Sequence, residues 1–437
     1  MKRFHSLASD VLVVGSFATL VKLAGAVKLS VTARYFGAGK ELDAYLIAFL
    51  IPSFAADVLS GSIAGALIPA FLRMRKEKGN AAAVELYRSV LAGSTLLLFS
   101  VAIVLGSVCL AAPSFPQELV RPLLLLMVPI LPVTAMTLTW RAVLNADGRF
   151  AVAAGTPVVT PMLSILLLFW RGTSSGAYVL ALGTTGGTLL ELAILAWTMK
   201  RRGYPILPRW MGFTTELRSL QKQYVAIVAG ALILGGSTFV DQGFATLLGT
   251  GGIGILIYGT KLTSVLLAIG PTALGTVILP YLSELAANRD WDAIGSALRR
   301  FVLIIAGVTI PATLLLIAFS EPLVRLYLQH GAFSAESTSA VAHVQRFSLV
   351  QIPMAVTLAL LMRLTASLHA NKLLVRVALA GLITNAVGDA ILMRFLGAAG
   401  IALSDSIAAA VTLLFLSRAL LQNRRQELLT GTRSASL

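Results

Sequence analysis

Three lysines stand where an ammonium group is costly. Lys22 and Lys28 lie six residues apart in one apolar run, and Lys261 lies in the middle of another. Both runs are long enough to cross about 30 Å of hydrocarbon. A flexible stem lets any single lysine snorkel to an interface, but Lys22 and Lys261 are each about ten residues from the end of their run, a rise of about 15 Å. Intramembrane cations of this kind mark a water-filled path or an anion site. Lysine meets phosphate as a compact point charge with three donors, so the chemistry on offer is capture of a phosphate-bearing anion.

A second set of polar residues has the opposite sign. Asp241, Asn385, Asp389 and Asp405 fall in late apolar runs, and Asn385 and Asp389, four apart, share a helix face. Oxygen ligands with no His or Cys nearby suit Na⁺ or a proton rather than a transition metal. Each aspartate also has a plainer reading, as a protonated or helix-capping residue. Glu191 and Asp57 are single intramembrane acids with no evident partner in the sequence.

The elements that must position these groups follow from composition. Of 437 residues, 57% are hydrophobic and 12% charged, against roughly 45–50% and 25% in soluble domains. The expected fold class is an all-α membrane protein. Twelve windows have the length of a span, centred near Ala18, Ser53, Ser100, Val128, Thr160, Gly186, Leu232, Ile269, Thr309, Ala355, Leu382 and Val411. They divide into two six-helix lobes, residues 1–210 and 211–437, expected to surround a central cavity. Val11 to Arg34 and Leu42 to Leu72 are long for one crossing and contain Gly25, Pro52, Gly61 and Gly65, so kinked helices are expected there. The longest stretch without a span, Lys200 to Lys222, is shorter than a folding unit. The N-terminal Met1-Lys2-Arg3 and the apolar run after it read as an uncleaved first helix.

The net charge of +16 is mostly topology. Most of the 35 Lys and Arg fall on one set of loops and ends, including Arg73, Arg75, Lys76, Lys78, Lys200, Arg201, Arg202, Arg209, Arg299, Arg300, Arg424 and Arg425. Positive-inside bias places that side, with both termini, in the cytoplasm. No aromatic-interleaved basic patch supports nucleic-acid binding. The single Cys109 excludes an internal disulfide, and His5, His330, His343 and His369 are scattered. Neither a phosphate-binding Gly-rich Lys loop nor a nucleophile elbow is present, so no catalytic residue is assigned and an enzyme is not expected. No tightly bound cofactor is expected, and coupling to Na⁺ or to a proton is left open.

The chain also repeats itself. Gly61-Ser-Ile-Ala-Gly-Ala-Leu-Ile-Pro69 resembles Gly270-Pro-Thr-Ala-Leu-Gly-Thr-Val-Ile-Leu-Pro280, and Leu144-Asn-Ala-Asp-Gly-Arg-Phe150 resembles Leu368-His-Ala-Asn-Lys-Leu-Leu374. Two similar halves are the sequence signature of a transporter whose lobes rock about a central site.

Ala33-Arg-Tyr-Phe-Gly-Ala-Gly39 followed by Asp43-Ala44, then Pro52 and Leu67-Ile-Pro69, resembles the MurJ or MviN family. These are lipid II flippases of the multidrug, oligosaccharidyl-lipid and polysaccharide exporter superfamily. The likeness continues through Tyr258-Gly-Thr-Lys-Leu262 and Gly275–Pro280, and is strongest in Pro322-Leu-Val-Arg-Leu-Tyr-Leu-Gln-His-Gly-Ala-Phe-Ser-Ala335. It covers about Ser6 to Leu421. The resemblance implies that an undecaprenyl-diphosphate-linked glycan crosses the bacterial cytoplasmic membrane by alternating access. It places the family's cavity arginines on Lys22, Lys28 and Lys261, with charge kept and the planar fork lost. A further basic position falls on Ala56, and an acid that helps close the outer gate falls on Asp43. Two further C-terminal spans that form a groove for the lipid tail in typical members have no counterpart in twelve spans.

The expected substrate is therefore lipid II, with another prenyl-diphosphate-linked glycan, such as an exopolysaccharide or O-antigen unit, as the alternative. A multidrug exporter or a non-transporting scaffold of envelope synthesis are weaker readings. Expected partners are the lipid-linked oligosaccharide, membrane lipids and cell-envelope synthesis proteins.

Overall fold

In the computed structural model the backbone is described for residues 2–111, 119–210, 212, 214–287, 291–368 and 370–434. Side chains in those ranges are described except at 2–13, 234, 269–283, 286, 287, 291, 371 and 423–434. The side chains of His5 and Ile269, those of the second glycine–proline repeat at Gly270–Pro280, and His369 lie outside the described residues.

Among the described residues the regular elements are helices. They are α1 (Lys2–Phe36), α2 (Lys40–Ala55), α3 (Gly61–Ala111), α4 (Val120–Met127), α5 (Ile130–Ala146), α6 (Phe150–Gly155), α7 (Val159–Arg171), α8 (Tyr178–Arg201) and α9 (Thr215–Ala245). They continue with α10 (Gly252–Ala287), α11 (Trp291–Ala318), α12 (Ser320–Leu328), α13 (Ala335–Leu349), α14 (Ile352–Ser367), α15 (Asn371–Leu396) and α16 (Ala398–Ser434).

Nine helical stretches among the described residues are long and apolar enough to cross a membrane, and ten if the bent pair Thr215–Ile233 and Gly235–Leu248 counts as one span. The difference from the expected twelve has two sources. Lys40–Ala111 is one apolar stretch of 72 residues that holds two expected centres, Ser53 and Ser100. Around the eighth centre only Gly252–Ala268 counts, as a shorter apolar helix. The basic run Arg73–Lys78, expected in a loop, is helical in α3. Met, Arg, Lys and Glu are good helix formers, and the one break inside α3 is Gly79, at φ 88° and ψ 175°. That region of the backbone favours glycine.

The breakers act unequally. Pro52 lacks an N–H and its ring crowds the preceding turn, and the backbone next passes through a π-helical turn, Ala56–Ser60, before α3 begins at Gly61. By contrast α1 runs through Gly25 without interruption.

The chain divides into two compact units, residues 1–235 with 330–333, and residues 236–329 with 334–437. Their boundary falls inside α9, the helix that follows the expected division at 210/211. In the first unit, Trp140, Tyr87, Phe71, Leu67 and Leu91 are almost fully buried and form a core joining α3 and α5 to α8. The second has its own core around Leu349, Leu360, Leu364, Val377 and Leu416. Large apolar side chains also face outward, Leu96, Trp170 and Phe395 among them. Outward apolar faces on this scale suit lipid rather than water.

Candidate functional site

In the first unit, Lys28 is the most highly connected of the candidate cations. Its Nζ donates to Tyr45 Oη at 3.4 Å and to Thr184 Oγ1 at 3.3 Å, and those two hydroxyls are 2.8 Å apart. Thr184 spends its own hydrogen on the Leu180 carbonyl at 2.9 Å, so the Tyr45 hydroxyl donates to Thr184. The ammonium also lies 5.7 Å from the Tyr45 ring centroid, within cation–π range. Two of its three donors are engaged, which leaves one for a ligand. α1, α2 and α8 each supply one member of this cluster. Lys22, about 9 Å further along α1, is exposed and stands outside it.

Asp43 lies two residues before Tyr45 on α2 and is 4% exposed. It follows the turn in which Gly37, at φ 58°, ends α1. The two motifs that carry most of the family resemblance meet here, because residues 330–333 belong to the first unit. The Ala332 N–H donates to the Arg34 carbonyl at 2.8 Å. A Cβ on Gly37 would come within 2.6 Å of the Ala332 carbonyl oxygen, so the approach requires glycine.

Glu191, isolated in the sequence, has partners in the fold. Thr156 Oγ1 donates to its Oε1 at 3.3 Å and Arg141 Nη1 lies 3.9 Å away. Arg141 is itself held by the Ala153 carbonyl at 2.8 Å. The second repeated motif also has a role: Asp147 pairs with Arg75 at 2.6 Å and accepts from the Tyr204 hydroxyl at 2.6 Å. Arg75 donates to the Ala146 carbonyl as well, at 3.1 Å, at the C-terminal end of α5, where a cation is favoured. Asp57 is exposed in the π-helical turn, and Ala56 beside it is buried.

In the second unit, Asp241 of α9, Asn385 and Asp389 of α15 and Asp405 of α16 form one cluster. The Asn385 amide donates one hydrogen to Asp241 at 3.0 Å and one to Asp405 at 3.1 Å. Asn385 and Asp389 are 1% and 0% exposed, and both Asp389 carboxylate oxygens lack a hydrogen-bond partner among the described residues. Small residues let the helices close in. A Cβ on Gly388 would lie 3.1 Å from the Ser404 Cβ, and one on Gly381 would lie 2.8 Å from the Thr412 Cγ2. The Ser404 hydroxyl then reaches the Asn385 carbonyl at 2.8 Å.

These donors fit a monovalent cation or a proton. They are hard oxygens, but no group of three or more acids, His or Cys among the described residues is arranged to hold a metal ion. A cation at any one carboxylate would therefore need neutral oxygens to complete its shell. Lys261, on α10, is half-buried and makes no hydrogen bond or ion pair among the described residues.

Sequence reasoning missed Tyr45, Thr184 and Arg141. Tyr45 carried a signal, a phenol two residues from Asp43 in an apolar helix, where a buried hydroxyl needs a partner. Thr184 carried none, since a membrane-helix threonine ordinarily bonds its own preceding turn.

The family model described as "Lipid II flippase MurJ" matches residues 32–434. A probable lipid II flippase MurJ of Rhizobium meliloti (strain 1021) is 26% identical over 359 residues, 78% of this chain and 66% of its own length. The lipid II flippase MurJ of Burkholderia cenocepacia is 24% identical over 440 residues, 94% of this chain and 83% of its own length. Among solved structures, a lipid II flippase MurJ in an inward closed conformation superposes with a TM-score of 0.78 at 21% identity, covering 94% of this chain and 87% of that one. An inward-facing multidrug resistance MATE family transporter of the MOP superfamily gives 0.71 at 12% identity, covering 94% and 96%. Both likenesses speak to the fold, whereas the family match spans nearly the whole sequence: the chain belongs to the MurJ lipid II flippase family.

Proposed function

We propose that the protein moves lipid II, the undecaprenyl-diphosphate-linked peptidoglycan precursor, from the inner to the outer leaflet of the cytoplasmic membrane by alternating access, with both termini in the cytoplasm. The observation that carries this reading is the family match over residues 32–434. The physical task is to take a diphosphate and a hydrated sugar through hydrocarbon, which costs tens of kcal/mol for an unpaired ion by Born estimates. Lys22, Lys28 and Lys261 replace water around the diphosphate, while the prenyl tail stays in lipid. Tyr45 and Thr184 support this by holding the Lys28 ammonium on α1 with a donor to spare. Asp43 acts at the outer gate. Asp241, Asn385, Asp389 and Asp405 couple the return step to a cation, which supplies about 2.3 kcal/mol per charge per 100 mV when it crosses the membrane potential.

Lysine in place of the family's arginines favours a second substrate reading, another prenyl-diphosphate-linked glycan, because a point charge is less particular than a planar fork. Complementation separates the two. The chain is expressed in bacteria depleted of their own lipid II flippase, beside a variant with Lys22, Lys28 and Lys261 all changed to Ala. Growth with the intact chain alone is the expected result. Failure despite good membrane expression points to the second substrate. Growth with the triple variant defeats the lysine mechanism.

A further inference from the structure

Asp57 takes no part in the cycle described above, yet its setting in the first unit is unusual. It stands in the π-helical turn Ala56–Ser60, where Ala56 and Val58 on either side are 5% and 4% exposed and Asp57 itself is exposed. Ala56 packs with Leu98, Ala102, Leu131 and Ala135, so packing on one side of the turn directs the carboxylate to the other. Its side chain makes no hydrogen bond or ion pair among the described residues. Asp57 lies 17 residues after Lys40 and 16 before Arg73, about 24 Å of helical rise from either. A carboxylate turned outward at that depth belongs against a water-filled space rather than hydrocarbon. Helix α9 borders this space. A Cβ on Gly65 would lie 3.2 Å from Ile227 Cδ1, and one on Gly235 would lie 3.8 Å from a Phe54 ring carbon. Between these two contacts come Asp57 and Gly61, and a Cβ on Gly61 would meet nothing within 4 Å. The carboxylate therefore stands in an open notch, with the Phe54 ring three residues before it on the same helical face.

We propose that Asp57 is a specificity-determining residue that reads a primary ammonium on the transported headgroup. The proposal rests on the lipid-flipping reading above and adds a second point of contact to it. A single carboxylate beside an aromatic ring, with no group of three acids, His or Cys among the described residues, lacks the several oxygens that an inorganic cation draws in. An organic ammonium needs less: one charge-assisted hydrogen bond and a π face within about 6 Å. The same unit holds the opposite charge. Lys28, bonded to Tyr45 at 3.4 Å, keeps a donor for phosphate, and from Tyr45 to Asp57 is twelve residues, a helical rise of about 18 Å. A headgroup that satisfies both carries its diphosphate at one end and an amine on its glycan or peptide toward the other. A headgroup without the amine satisfies the lysine and leaves Asp57 unpaired, and that difference is selectivity.

The test uses the full-length protein reconstituted in vesicles and two synthetic probes: lipid II whose peptide carries one lysine, and the same molecule with that lysine N-acetylated. Initial transport rates are compared as a ratio, free amine over acetylated. The wild type is expected to give a ratio of about ten or more, the size of one charged hydrogen bond. Asp57→Asn brings the ratio close to one, and Asp57→Glu, which keeps the charge, holds it well above one. Lys28→Ala slows both probes and leaves the ratio in place, so loss of diphosphate capture is read apart from loss of amine recognition. A wild-type ratio near one overturns the proposal and leaves the flipping reading standing. An unchanged ratio in Asp57→Asn does the same, and an equal fall for both probes in that variant makes Asp57 a counter-charge for the lysines instead. Wild-type protein that moves neither probe, though folded by its thermal midpoint, defeats the lipid II reading and the proposal together.

Discussion

The Lys28 ammonium donates to the Thr184 hydroxyl across 156 positions of sequence, at 3.3 Å. The bond ties α1 to α8 and fixes where the cation stands within the first unit. Replacing Thr184 by Val removes this acceptor and leaves the Tyr45 hydroxyl without its acceptor at 2.8 Å. The expected cost is about 1–3 kcal/mol of stability, the range for a buried polar group left unpaired. Tyr45→Phe is expected to cost less, because Lys28 keeps Thr184. Transport in reconstituted vesicles is expected to fall in both variants and to survive Lys28→Arg, which keeps the charge. Full activity in Thr184→Val would show that Lys28 needs no placement.

Asp147 was legible only as half of a repeat, yet it anchors the helical basic run of α3 to the end of α5. Asp147→Asn is expected to cost about 1–2 kcal/mol, a modest figure because the pair with Arg75 is partly exposed. The same carboxylate has a consequence for pH. Burial, then the bond to Asp147, pushes the Tyr204 hydroxyl up to about 12, against about 10 for a free tyrosine. A raised folded value means stability that is whole below about pH 10 and lost as pH climbs toward 12. Thermal midpoints of wild type should therefore fall across that window, and Tyr204→Phe should flatten the fall.

Gly187 shows where helix packing tolerates no addition. A Cβ there would lie 2.6 Å from the Thr160 Cα, and one at Gly183, a turn earlier on α8, 2.8 Å from the Ser164 Cα. Close approach through small residues is how membrane helices gain dispersion contacts. Gly187→Ala is expected to destabilise by about 1–3 kcal/mol, the range for overpacking. Gly15→Ala, with nothing within 4 Å, serves as the control and should be neutral. Equal midpoints for the two variants would remove the packing argument.

How far these features were legible differs by residue. Lys28, Asp241, Asn385, Asp389 and Asp405 stood out because a charged or amide group in hydrocarbon is conspicuous in any sequence. The convergence of Asp241 with Asp405 was not, because it depends on Gly388 and Gly381 admitting α16, and glycine in a membrane helix is too common to signal anything. Arg73–Lys78 misled in the other direction, since charge density reads as a loop while the residues themselves favour helix.

Asn385 offers the sharpest test of the acid cluster, because its amide stands between two carboxylates and uses both hydrogens on them. Asn385→Asp keeps the shape and replaces those donors with a third acceptor facing Asp241 and Asp405. Asn385→Leu removes the donors without adding charge. If the amide serves chiefly to separate like charges, the Asp variant should be the less stable of the two, and pairing it with Asp405→Asn should recover part of the loss. The coupling energy from that double-mutant cycle is expected to be about 1–3 kcal/mol, typical of residues in one buried network. Measurement is by thermal unfolding in detergent at neutral pH with Na⁺ present and absent. Additive costs, with no recovery in the double variant, would mean that Asn385 supports the backbone contact with Ser404 and has no electrostatic role toward Asp405.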